Sequence, residues 1–166
     1  MRYWIGAALA FFLALLQASS IDQFRIIGVA PNLLLVLLVA WLVVRGLDDV
    51  LPMIAVAGIT MGLIGLQMPG LVLLALLPVV GFGLVRELHI IHSEPLLVLA
   101  LVFASSIAYE MVLLISVMAT GGVLDLTTAI TRSVLPAAIV NVALTPVVYV
   151  VMRLARPGPS RHRLSY

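Results

Sequence analysis

The sequence contains no cysteine and no lysine. Without cysteine there is no disulfide and no thiolate metal site. Charge is scarce too: 10% of the 166 residues are Asp, Glu, Lys or Arg, against about 25% in a soluble domain. Too few charges remain to cover a globule of this size. Catalytic signatures are missing as well: there is no Gly-rich phosphate loop, no Ser-His-Asp set and no HExxH. The net charge of +2 gives no electrostatic case for nucleic acid.

Apolar residues are what the chain has, at 64%, with a mean hydropathy of +1.28. That excludes disorder, which needs low hydrophobicity, and makes lipid the solvent for most of the chain. The stretches between charges give the spans. The first runs over residues 3–21 and the second over 26–44. A charge-free run of 36 residues follows, from Val50 to Val85. As one helix it would be about 54 Å long, so it folds back. Pro69-Gly70 is its turn signal, which sets spans three and four at 50–68 and 70–85. Span five covers 96–118 and span six 133–152. Residues 1–155 thus read as one all-α integral membrane domain, a six-helix transmembrane bundle. Residues 156–166 read as a basic tail that can lie against anionic headgroups.

With the N-terminus inside, seven Arg residues fall on the inner side (Arg2, Arg45, Arg86, Arg153, Arg156, Arg161 and Arg163) and two, Arg25 and Arg132, on the outer side. This asymmetry places both termini in the cytoplasm. Met1-Arg2, an apolar run and Ala18-Ser19-Ser20 also fit a signal peptide, although Gln17, Ser19 and Ser20 make a mediocre cleavage site. Cleavage would leave five spans with the C-terminus still inside.

Polar residues inside spans are the candidates for function. Glu110 is the one carboxylate within a span. It reads as a proton or cation site, or as a structural carboxylate that pairs with Arg132 or a backbone donor or reaches the interface; its isolation favours the structural reading. His89 and His92 share a helix face at i, i+3 beside Glu87 and Glu94, a metal-capable spacing, but a cytoplasmic loop collects such residues for solvation alone. Asp48 and Asp49 form a loop with Arg45 and read as an N-cap of span three, with Pro52 in its first turn. Ala55, Gly58, Gly62 and Gly65 make a small-residue face on span three, suited to close approach by another helix, most simply one of this chain. Asn32, after Pro31, sits early in span two and can serve amides freed there. Asn141 sits mid-way along span six, which Pro136 and Pro146 kink or shorten. Residues 121–132 read as a short interfacial helix or loop outside. No metal or cofactor site emerges.

Three stretches carry a resemblance. Pro31-Asn32, an aliphatic run and Trp41 resemble the second-span signature of the rod shape-determining MreD family. Asn141, Pro146, Tyr149 and Arg153 resemble that family's closing span, and Tyr109-Glu110 is similar to part of its fifth. Order and spacing together carry the resemblance, over nearly the whole chain. One departure stands out: the family often has an Asp after the Gly-rich part of span three, where this chain has Gln67 as its nearest polar residue. The resemblance implies a fold similar to the substrate-binding subunits of energy-coupling-factor transporters. It also implies a non-enzymatic inner-membrane scaffold of the bacterial elongation complex, without a cofactor. The expected partners are MreC and, through it, MreB, RodA and a class B penicillin-binding transpeptidase. Candidate contacts are residues 19–31, residues 121–133 and the small face of span three. Pro31, Asn32, Gly58, Gly62, Glu110, Arg132, Asn141 and Pro146 are the partner or structural candidates. The alternative is a transporter subunit binding a vitamin-like ligand through Trp4, Trp41, Asn32, Asn141, Tyr109 and Glu110.

Overall fold

A computed structural model describes residues 2–19, 28–65, 68–87, 93–123 and 125–154. These are helical: α1 (Arg2–Ser19), α2 (Leu33–Arg45), α3 (Leu47–Ile64), α4 (Pro69–Glu87), α5 (Glu94–Ala119), α6 (Leu126–Ala129) and α7 (Leu135–Leu154). A π-turn, Ile130–Val134, fuses α6 to α7. The fused rod is 29 residues long. Among the described residues three helices are long and apolar enough to cross a membrane: Leu47–Ile64, Glu94–Ala119 and Leu126–Leu154. Trp4–Ser19, Leu33–Arg45 and Pro69–Leu84 are shorter apolar helices.

α2 lies at the centre. Neighbours pack in the order α1, α3, α4, α5, α7, and α2 touches all five. Its sequence explains this position. Every residue from Leu34 to Val44 is apolar, and every one is buried. A helix apolar all round belongs in a core, whereas a helix with one polar face does not. The outer helices instead present apolar side chains outward: Trp4, Phe12, Leu63 and Val147 are each at least 65% exposed. In water such a surface would drive association; in a bilayer it faces acyl chains.

The element boundaries depart from the charge-to-charge spans in three places. The second helix starts at Leu33, not within a span beginning at residue 26. Gly28 has φ +83°, and residues 28–32 are not helical. Pro31 holds the preceding residue in extended backbone, and Asn32 caps the helix. Only 13 residues remain, about 20 Å, too short for a hydrocarbon core of about 30 Å.

The third helix starts at Leu47, with Gly46 as N-cap. Asp48 and Asp49 therefore occupy its first turn and not the cap, and no loop separates it from α2. Gly46, at φ +103°, is the whole connection, and it also closes α2 by donating to Leu42 O. Two acids in a first turn suit the positive end of the helix dipole. Pro52 lies deeper than the first turn.

The last helix starts at Leu126, not Ser133, so residues 126–132 continue the rod. Pro136 explains the π-turn just before it. It has no N–H to offer the carbonyl four residues back, and the ladder slips to i→i−5, with Leu135 N–H donating to Ile130 O.

The small-residue face of α3 is filled from within. A Cβ on Gly62 would collide with the backbone of Pro69, and one on Gly58 with the side chain of Leu73. These glycines let α4 lie directly against α3, as expected of small residues in lipid. That contact leaves Gly58 and Gly62 no room for a helix from another protein.

Candidate functional site

The short α2 has an N-terminus inside the fold, and the chemistry gathers there. A helix start leaves four amide N–H groups without partners. Away from water each unsatisfied one costs several kcal/mol. Asn32 Oδ1 accepts from Leu35 N at 3.0 Å, and Asn32 O accepts from Val36 N at 3.1 Å. Gln17, from α1, uses both ends of its amide: Nε2 donates to Pro31 O at 2.9 Å, and Oε1 accepts from Leu34 N at 3.4 Å.

α7 and α5 complete the junction. Asn32 N–H donates to Asn141 Oδ1 at 2.8 Å. Asn141 Nδ2 donates to Ser106 Oγ at 3.0 Å. The Tyr109 hydroxyl lies close to the Asn32 side chain, and Thr145 Oγ1 donates to Asn141 O at 2.8 Å. Asn32, Ser106, Tyr109, Asn141 and Thr145 are all buried. Four helices are thus tied at one point by groups that satisfy one another. The arrangement pairs amide, hydroxyl and backbone groups from different helices; it can hold helices in register.

The structure brings Pro31, Asn32 and Asn141 together, with Tyr109, and leaves the other sequence candidates elsewhere. Pro146 is exposed on α7 one residue after Thr145. Gly58 and Gly62 are in the α3–α4 contact. Trp4 points outward, and Trp41 is buried under the Arg45 guanidinium, 4.6 Å from its ring centroid. Glu110 and Arg132 line a different feature, a cleft of about 420 Å³ between α5 and the α6–α7 rod. They share it without closing an ion pair among the described residues, so the expected Glu110–Arg132 pairing is not formed. Asp125, at the same cleft, caps α6 by accepting from Thr127 N at 3.1 Å. His89, His92 and Gln67, the residues nearest Asp22 and Arg25, and the tail from 156 lie outside the described residues. Among the described residues no group of three His, Cys, Asp or Glu side chains is placed to hold a metal.

Gln17, Ser106 and Thr145 are the junction members that sequence reasoning did not single out. Gln17 was weighed only as part of a cleavage site. A Gln near the end of an apolar helix, and the Ser105-Ser106 pair in span five, were the available signals. No protein-family model, curated protein or solved structure matches the chain.

Proposed function

We propose that this chain is a non-enzymatic scaffold subunit of the bacterial elongation complex, an MreD-like protein of the inner membrane that docks MreC. It has both termini in the cytoplasm and helps keep rod shape and guide peptidoglycan synthesis. MreB, RodA and a class B penicillin-binding transpeptidase are then indirect partners. One observation carries the reading. The residues on which the resemblance rests, Pro31-Asn32 and Asn141, lie far apart in sequence yet meet through a buried 2.8 Å hydrogen bond. A signature whose members lock a short central helix to the last one is a signature of architecture, as a packing subunit requires. The paucity of intramembrane charge supports the same reading.

With the α3 face closed by α4, the contacts left to MreC are residues 19–31 and 121–133. The test is affinity purification from detergent of the tagged chain with MreC, together with depletion in the rod-shaped host. Co-purification and loss of rod shape are the expected results. Unchanged cell shape on depletion, with no MreC recovered, overturns the proposal.

The transporter reading is weaker on geometry. A ligand site needs convergent polar groups facing a cavity; Asn32, Asn141 and Tyr109 converge on one another, Trp4 faces outward, and Glu110 lines a separate cleft, so the set named for that reading does not share a cavity.

A further inference from the structure

The cleft between α5 and the α6–α7 rod has a construction that the packing of this chain does not use. Glu110, Leu113, Leu114 and Val117 line one wall, the i, i+3, i+4, i+7 face of α5. Across from them stand Arg132 and Ser133, in the π-turn. π-turns within helices often mark functional positions. Glu110 is half-buried, and Arg132 is exposed. Neither side chain makes a hydrogen bond or ion pair among the described residues. An isolated carboxylate at membrane depth is expensive and calls for a cation. An exposed arginine near a helix end calls for phosphate or carboxylate oxygens. The two sit on one cleft without meeting, and the other carboxylate there, Asp125, is engaged by the Thr127 amide and the Thr128 hydroxyl, which suits a ligand bearing both charges.

The volume of about 420 Å³ falls in the range of small-molecule sites. A docked helix would instead need a groove several turns long.

We propose that this cleft binds the headgroup of a zwitterionic aminophospholipid. Arg132 takes the phosphate, Glu110 accepts hydrogen bonds from the ammonium, and Leu113, Leu114 and Val117 meet the upper acyl chain. The membrane itself supplies such a ligand at the depth where a span meets its headgroups. The inference does not rest on the scaffold reading; Arg132 and Ser133 fall within the segment 121–133 given there to MreC, so the test uses the chain without that partner.

The chemistry orders the candidate lipids. Phosphatidylethanolamine offers N–H donors to Glu110, and a charge-assisted bond is the strong kind. Phosphatidylcholine carries the charge without the donors. Phosphatidylglycerol has no cation, and Glu110 repels it.

The test is native mass spectrometry of the full chain from nanodiscs holding equal parts of the three lipids. The expected result is one retained phosphatidylethanolamine per chain, in preference to the other two. Glu110→Gln and Arg132→Gln each reduce that retention about tenfold, the size of one lost charge-assisted hydrogen bond. Their thermal unfolding in lipid-free detergent stays that of the parent, which separates lost binding from lost fold. Equal retention of the three lipids overturns the proposal, and that comparison needs no variant. Preference for phosphatidylglycerol overturns it too, as does full retention by folded Glu110→Gln. Displacement of the lipid by millimolar glycine assigns the site to a free zwitterion and overturns the lipid assignment. Crosslinking of the cleft to a polypeptide in place of lipid does the same.

Discussion

Asn141 does three jobs with one side chain and its own carbonyl. It accepts from Asn32 N–H, donates to Ser106 and accepts from Thr145. Replacing it by Leu leaves the Asn32 amide buried without an acceptor. Such a loss costs about 1–3 kcal/mol, and interhelical hydrogen bonds in bilayers sit near the low end. Asn141→Leu should therefore destabilise the fold by about 1–2 kcal/mol in mixed-micelle SDS unfolding. Ser106→Ala should cost less, because Asn141 keeps its acceptor role. Equal costs for the two would mean the Asn32 amide is not what Asn141 is there to serve. Asp125 gives a pH prediction. The Thr128 hydroxyl, followed by the Thr127 amide, holds its carboxyl below the usual carboxylate range. A depressed folded pKa stabilises the ionised cap above the unfolded pKa, and that contribution is lost as pH falls through the folded value. Residues 126–130 should thus keep their cap at neutral pH and fray as pH falls through the folded value. Hydrogen exchange of their amides, compared with Asp125→Asn, reads this directly; identical acid profiles would exclude it. The sequence announced Asn32 and Asn141 as the polar residues of otherwise apolar spans. It did not announce that they touch, because contact between two distant residues is a property of the packing.

α3 shows how a stretch can be read correctly in composition and incompletely in position. Its spacing of small residues marked a close-approach face, and α4 occupies it. The start of the helix was misplaced because charge was used as a boundary. Asp48 and Asp49 are charged but sit inside the first turn, where the dipole favours them, and Gly46 ends one helix and begins the next. The glycines make the α3–α4 contact testable. Gly62→Ala drives a methyl into the Pro69 backbone, which cannot rotate away, so a loss of about 1–3 kcal/mol is expected. Gly81→Ala meets nothing within 4 Å and should be neutral or stabilising by up to about 1 kcal/mol, since alanine is the better helix former. Thermal unfolding of both variants in one detergent checks the pair. A tolerated Gly62→Ala would show that the two helices are not in this contact. The α6–α7 rod taught the opposite lesson to α3. Residues 121–132 read as a short interfacial helix or loop, and from Leu126 onward they are helix continuous with α7, because a π-turn absorbs the break that Pro136 would otherwise impose.

The architecture as a whole was legible as a polytopic helical chain, since lipid imposes long apolar runs that any reader of the sequence can count. What was not legible is that one of those runs is a short central plug. The run from residue 26 looks like a span because its residues are apolar, and burial in protein and burial in lipid select the same side chains. Only Pro31-Asn32 hints at the difference. That arrangement has a consequence for how the molecule is made. α2 emerges from the ribosome early, but the acceptor for its Asn32 amide sits on α7, the last helix to be synthesised. Until then the early helices hold an unfinished centre, too short to cross the bilayer alone and missing the group that completes its start. A nascent chain stalled after residue 125 should accordingly remain protease-sensitive around residues 28–45, and become resistant once α7 is released into the membrane. Protection of that segment before α7 appears would refute this order. Assembly then has a built-in checkpoint: the bundle closes when the final helix arrives, and an insertase that holds the early helices apart until that moment is working with the grain of the sequence.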